Sequence, residues 1–380
     1  MPGASGGEGS VAQFVKEQLL AAGADAKAIR FDTAHKRTPL RGQVGNMVFK
    51  LPGTVRAPRR MLMAHLDTVP ICVGSKPVRK GNLVRSADPK TGLGADDRAG
   101  AAVVLNAALQ IMKDDLPRPP LTFLWTVQEE IGLQGARCAS VGLLGKPALA
   151  FNFDGGSPDK LTIGATGGYR IAIDVHGIAS HAGGAPERGV SAISIAALAI
   201  ADLQRNGWHG DIHKDGKHGT SNVGIIQGGA ATNVVTDHVF VKAEARSHDA
   251  KFRAKIVKEI EAAFRRAVKE VSNVDGKRGS VKVDGRLDYD SFALSPDEPC
   301  VKVAHEAVVD CGLQPQLAIA NGGLDANWMV KHGIATVTIG AGQLNQHMVT
   351  EALDIKKYLA ACNIGLHLAT GASENRKPKT

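Results

Sequence analysis

Five short segments of this 380-residue chain carry side chains able to bind divalent cations: His65-x-Asp67, Asp96-Asp97, Glu129-Glu130, Asp154 and His347. His-x-Asp closes an apolar run (MLMAHLD), Glu-Glu closes a second (LTFLWTVQEE), and the lone Asp closes a third (ALAFNFD). Asp-Asp opens a helical run, and His347 sits in a polar loop (GQLNQHMVTE). Ionised carboxylates beside buried apolar strands lose much of their hydration unless something pairs with them. Two divalent cations would remove that cost and bind each ligand in its ionised form. Together the segments supply the ligand set of a two-metal hydrolase. One imidazole with two or three carboxylates per ion suits Zn²⁺ first, with Mn²⁺ or Co²⁺ as substitutes, whereas Mg²⁺ would not need two histidines. The spacing is neither that of a zinc finger nor that of an H-E-x-x-H protease. The residues alone leave two points open: whether Asp96 or Asp97 ligates, and which of Glu129 and Glu130 acts as a base.

Rigid elements must carry these groups. Strands are expected near 46–51, 61–66, 121–128 and 148–153, with a buried helix at 97–112 and a short one at 132–141. This alternation predicts a doubly wound, mostly parallel mixed sheet, with three of the segments at C-terminal strand ends, where such sheets bind ligands. Residues 1–9 read as a loose leader, and Ser10 with Gln13 as a capping box for a helix ending near Gly23. The Gly-, Pro- and Lys-rich stretch 71–95 reads as a loop or short hairpin beside the site. The pattern changes after Gly164. An alternating strand (168–177), a helix (190–205), two strands (221–227 and 238–246) and a charged helix (250–271) suggest a ferredoxin-like insert. The expected division is 1–166 and 284–380 for a catalytic domain, and 167–283 for the insert, whose open sheet edge suits dimerisation. A helix at 297–310, a Gly-rich turn (NGGLDAN), a strand at 334–339 and a helix at 351–369 complete the first domain.

Composition narrows the function. The net charge is +9, part of it from Arg265, Arg266 and Lys269 on a helix and from Arg376, Lys377 and Lys379 near the C-terminus. Aromatics make up only 4% of the chain, too few for extensive base-stacking platforms, and no nucleic-acid-binding signature accompanies the charge. No specific nucleic-acid partner is therefore expected, and no apolar run is long enough to cross a bilayer. Cys72, Cys138, Cys300, Cys311 and Cys362 are scattered and odd in number, with no C-x-x-C. That pattern, with no apolar leader at the N-terminus, fits reduced thiols in the cytoplasm.

The motifs AHLDTV (64–69), GADDRAG (94–100), EEIGLQGA (129–136), FDGG (153–156), SHAG (180–183) and His347 with Glu351 resemble those of a dizinc metallopeptidase family. That family includes peptidase T, carboxypeptidase G, aminoacylase and the succinyl-diaminopimelate desuccinylases. GADDRAG and NGGLDAN (321–327) are most similar to the peptidase T branch. The resemblance implies a phosphorylase/hydrolase-like catalytic domain with an inserted lid and dimerisation domain, and a homodimer. It implies His65, Asp96 and Asp154 on one ion, and Asp96, Glu130 and His347 on the other, with Asp96 bridging. It further implies a cis bond between Asp96 and Asp97, Glu129 as general base, Asp67 orienting His65, and His181 as oxyanion donor. Asn233 and Arg246 would grip a substrate carboxylate. The expected substrate is a short peptide cut at its N-terminal residue. A carboxypeptidase or a deacylase of acyl-amino acids is the alternative. A protein that binds metal without cleaving would lack Glu129, which is present. Met348 departs from the Thr that often follows the ligand histidine, which marks a different pocket wall. Asp325 and Asn327 could shape a turn or touch substrate. His176, His209, His213, His218, His238 and His248 read as ordinary surface or core residues.

Overall fold

The computed structural model describes residues 1–371; Arg376, Lys377 and Lys379 lie outside them. The chain forms two compact units, one from Met1–Ala165 and the chain from Ala293 onward, the other Thr166–Phe292. The fold is mixed α/β. Among the described residues no helix is long and apolar enough to cross a membrane.

The first unit is built on a mixed sheet whose centre is four adjacent parallel strands: Leu121–Thr126, Arg60–His65, Leu149–Phe153 and Thr336–Ile339. Antiparallel strands flank them, Met47–Leu51 on one side and Lys160–Ala165 on the other. Both faces are covered, so the central strands are apolar throughout instead of alternating with polar residues. Leu62, Phe123, Trp125, Phe151 and Val337 pack in a core that includes residues of the helices Gly9–Ala21, Ala95–Lys113, Pro299–Asp310 and Ile355–Thr370. Met61, Met63, Leu124 and Ala150 point the other way, to a smaller core with Ala136, Leu144 and Met329.

The ends of elements differ from the sequence expectation where local polar chemistry intervenes. The helix expected at 132–141 is two single turns, Gln134–Arg137 and Val141–Leu144. Ser10 does not cap the first helix; that helix starts at Gly9, and the Ser10 hydroxyl donates to the Pro2 carbonyl (3.1 Å). Residues 1–9 are not loose. Ala4 pairs with Thr68, and the Gly3 carbonyl accepts from Thr68 N (3.1 Å) and Arg98 Nη2 (3.3 Å). The stretch 71–95 contains the hairpin Pro77–Lys80 and Leu83–Ser86.

The second unit is a five-stranded antiparallel sheet in the order Gly210–Lys214, Lys217–Gly228, His238–Ser247, Gly167–His176, Ser280–Tyr289. Without its first strand this is the ferredoxin-like arrangement. Helices Ala192–Arg205 and Ala250–Glu270 bury one face through Ile195, Leu203, Phe252, Ile256 and Phe264. Arg265 and Arg266 on the second helix pair with Glu261 and Asp202. The unit extends past 283 because Ser280–Tyr289 pairs with residues Gly168–His176 of the neighbouring strand. Its Lys, Asp and Gly content made an edge strand look like a return loop.

Gly100 shows how closely the Ala95–Lys113 helix approaches the sheet. A Cβ there would collide with the Phe153 carbonyl and the Asp97 carboxylate. Gly→Ala in an open helix is stabilising by roughly 1 kcal/mol. At Gly100 the sign should invert, with Gly100→Ala destabilising by about 1–3 kcal/mol in denaturant unfolding. A variant as stable as the parent would contradict this packing.

Candidate metal centre

Three neighbouring parallel strands deliver the acidic and imidazole groups to one end of the sheet. His65 is the last residue of its strand, Glu129 and Glu130 follow Thr126, and Asp154 follows Phe153. Asp96 and Asp97 open the long helix just after Gly94, whose φ of +79° makes the sharp entry. The Asp96–Asp97 peptide bond is cis. His347 comes from the loop between Gln343–Leu344 and Ala352–Asp354.

Asp96 lies between two imidazoles, its Oδ1 3.4 Å from His65 Nε2 and its Oδ2 3.2 Å from His347 Nε2. His347 Nε2 is also 2.9 Å from Glu130 Oε2, and His65 Nε2 is 3.9 Å from Glu129 Oε2. His65, Asp96 and Glu130 present ligand atoms within 4.8 Å of one another, and so do His65, Asp97 and Asp154. Asp97 differs from Asp96 in its partners. It accepts from His65 N (3.1 Å), Gly100 N (3.1 Å) and Gln343 Nε2 (2.7 Å).

Asp67 ties the parts together. Its Oδ1 accepts from Glu129 N (2.9 Å), and its Oδ2 accepts from Glu130 N (3.2 Å) and Ser5 Oγ (2.6 Å). His65 Nδ1 faces the Asp67 carbonyl (3.1 Å) and carboxylate (3.4 Å), so the ring keeps its proton there and turns Nε2 to the acidic groups. Burial would raise the Asp67 carboxyl, but bonds from His65, Ser5 and Glu129 N hold it below its ordinary value. Glu8 Oε1 accepts from Gln128 N (3.0 Å), at a residue with φ +56°. Glu351 fixes the other side, accepting from Gly94 N (2.6 Å) and Asp96 N (2.9 Å). Ser5, Glu8 and Gln343 were not singled out in the sequence. The residues that could have flagged them, a Ser and a Glu in a Gly-rich leader, look like linker chemistry until the fold sets them against Asp67 and Gln128.

The electrostatics describe excess negative charge. Burial, reinforced by Asp325, Asp154 and Glu130, holds Glu129 well above the carboxylate range despite His65. Burial and then Asp154 do the same to Asp97. Burial followed by Asp96 pushes Asp154 up to about 8. Asp325, 1% exposed, is raised to about 6 by burial; its Oδ2 accepts from the Thr126 hydroxyl, and its Oδ1 is buried without a hydrogen-bond partner. The ion-pair partners of Asp96, Glu129 and Glu130 among the described residues are His65 and His347, not lysine or arginine. Carboxylates that repel one another around two imidazoles are a donor set that fits a pair of divalent cations.

The other three expected site residues belong to the second unit. His181 is exposed, bridges to Val234, and accepts at Nδ1 from Gly183 N (3.1 Å) and Gly184 N (2.9 Å). A neutral ring held this way carries its proton on Nε2, which makes Nε2 a donor. Asn233 adjoins it, its carbonyl accepting from Ala182 N (2.9 Å). Arg246 stands on a separate strand and is engaged by Glu244 through Nε (2.9 Å) and Nη2 (3.1 Å).

The model of peptidase family M20/M25/M40 matches residues 61–371. Peptidase T of Vibrio cholerae serotype O1 is 26% identical over 361 residues, 86% of this chain and 84% of that one. A crystal structure of a tripeptidase from Staphylococcus aureus shares 31% identity at a TM-score of 0.85, covering 97% of this chain and 94% of that one. A crystal structure of the aminopeptidase PepT from Bacillus cereus shares 29% identity at a TM-score of 0.79, covering 97% and 94%.

Two outcomes are expected of this centre. Ser5→Ala strips a donor from a buried carboxylate and should cost about 1.5–3 kcal/mol. Amide exchange at Glu129 and Glu130, which bond the same carboxylate, should quicken; unchanged exchange would remove the leader from the site. The second concerns pH. Folding raises Asp154 from 3.8 to about 8, and His347 from 6.5 to about 10 through its bonds to Asp96 and Glu130. Over those ranges the metal-free folded state holds protons that the unfolded chain has released. Its stability should therefore fall as pH rises from about 5 to 9. Metal binds the ionised ligands, so the rise in Tm on adding Zn²⁺ should grow across the same window. A metal-free Tm that climbs with pH would refute the assignment.

Proposed function

This chain belongs to peptidase family M20/M25/M40, in its peptidase T-like branch, and is a metal-dependent peptidase; we propose that it is a dinuclear zinc aminopeptidase releasing the N-terminal residue of short peptides. The observation that carries this reading is Asp96 lying between the His65 and His347 imidazoles. His65, Asp96 and Asp154 would hold one ion, and Asp96, Glu130 and His347 the other. When bound, the ions supply Lewis-acid polarisation of the scissile carbonyl and acidify water.

The remaining chemistry belongs to side chains. Glu129, ionised once cations balance its neighbours, takes a proton from the attacking water. It then delivers that proton to the leaving amine as the C–N bond breaks. Asp67 keeps His65 in one tautomer and holds the Glu129–Glu130 backbone beneath it. His181, with its proton on Nε2, is assigned as donor to the tetrahedral oxyanion. Asn233 and Arg246 are assigned to the substrate's terminal carboxylate. Arg246 would use Nη1, since Glu244 takes its other two nitrogens. The second unit, Thr166–Phe292, is assigned as a lid and dimerisation domain of a homodimer. Five free cysteines support a cytoplasmic setting.

The rival within the family is a carboxypeptidase or an acyl-amino-acid deacylase. Amine release from Ala-Ala-Ala, its N-acetyl form and a folyl-glutamate decides between them. Cleavage of Ala-Ala-Ala alone is expected; a preference for either blocked substrate would overturn the aminopeptidase reading. Glu129→Ala should retain about two ions per chain and lose at least ~10²-fold in kcat. Loss of metal along with activity would make Glu129 a ligand.

A further inference from the structure

We infer that the hairpin Gly210–Lys214/Lys217–Gly228 carries an additional, exchangeable transition-metal site formed by Asp211, His213 and His218. The hairpin turns on Asp215 and Gly216, with φ values of +53° and +69°. Two successive positive φ values make the tight turn that fixes strand register. His213 therefore stands directly opposite His218, one pair in from Lys214↔Lys217. In such a hairpin this is a non-hydrogen-bonded pair, whose side chains approach most closely. The two rings stack at 4.5 Å. Asp211, two residues before His213, points from the same face. Its Oδ2 lies 2.9 Å from His213 Nε2 and its Oδ1 2.7 Å from His218 Nε2. One ligand atom from each residue falls within a 4.8 Å group.

The charges around the triad leave room for a cation. Ile212, between Asp211 and His213, is buried in the core under the helices, so the triad faces the opposite side of the sheet. The nearby ammonium groups are drawn elsewhere. Lys214 Nζ lies 4.8 Å from the Trp208 ring centroid, Lys217 Nζ pairs with Asp249 (2.8 Å), and Lys255 Nζ pairs with Asp215 (3.0 Å). Asp174, His176 and His238 form a second group of the same composition on this unit. There, among the described residues, His238 bonds the carboxylate (2.9 Å) and His176 does not, and the Lys282 ammonium, paired with Asp284 (2.9 Å), also feels Asp174. That group serves as the comparison.

Two imidazoles and one carboxylate suit Zn²⁺, and also Ni²⁺ or Cu²⁺, with water filling the remaining positions; an oxygen-seeking ion such as Mg²⁺ would gain little. Among the described residues Asp211 is the one carboxylate grouped with the two histidines, which leaves no second one to act as a base, so the site binds without catalysing. The exposure of the Asp211, His213 and His218 side chains on the open face makes the ion exchangeable.

The test is equilibrium dialysis of the metal-stripped full-length chain against buffered Zn²⁺, with the imidazole proton signals followed by NMR. The double variant His213→Ala/His218→Ala should bind one equivalent fewer than the parent, with its peptidase activity unchanged. His238→Ala should match the parent. Asp211→Asn keeps the side-chain shape and should weaken the same equivalent by at least about tenfold. Substoichiometric Zn²⁺ beyond the tight equivalents should move the His213 and His218 signals together. The difference between parent and double variant is the measure. A failure of the two-ion active site would change both totals alike, and leave the difference intact. Equal totals, or Zn²⁺ spread over many histidines with no single equivalent lost, would overturn the proposal.

Discussion

Repulsion between carboxylates is the constraint around which the first unit is organised. Asp96, Asp97, Glu129, Glu130, Asp154 and Asp325 gather at one end of a sheet, burial acts upward on every one, and all but Asp96 end above their ordinary values. Asp96 is the exception because His347 and His65 bond it from either side, which outweighs its own burial. A fold would not keep such a cluster unless something made it favourable. Bound metal ions would do so, and the surrounding chain is arranged to hold the carboxylates and imidazoles together.

The arrangement rests on backbone donors more than on side-chain cations. Asp67 receives Glu129 N and Glu130 N, Glu351 receives Gly94 N and Asp96 N, and Asp97 receives His65 N and Gly100 N. Asp67 and Glu351 thus fasten turns whose own carboxylates point into the centre, and Asp97 fastens the strand end that carries the His65 imidazole. Parallel strands end in step, so these turns meet without long connections. The N-terminal residues close the assembly through Ser5 and Glu8, far in sequence from the groups they hold. The second unit is organised differently, by apolar burial under two helices on one face and by paired charges on strands such as those of Arg246 with Glu244.

Several elements were legible because their pattern has one physical meaning. Apolar runs of five or six residues are too short for most helices and fit strands with a polar end, and His65, Asp154 and the Glu129–Glu130 pair sit at or just beyond such ends. The long Ala-rich helix and the alternating strands of the second unit were readable for the same reason. Strands 210–214, 280–289 and 316–320 were missed because each buries few side chains. For the first, the Asp215-Gly216 turn was the available signal.

The sequence by itself determined the types of side chain in the centre, the apolar strands that bear them, and the family the chain resembles. These are local properties: a ligand's chemistry and a strand's periodicity are written within ten residues. Tertiary structure alone decided that Asp96 lies between the imidazoles while Asp97 takes backbone donors, that the leader is part of the site, and that a histidine pair on a hairpin shares one carboxylate. Those outcomes depend on register, on a turn's φ angles and on which distant amide meets which oxygen, and such distances exist only once the chain has folded.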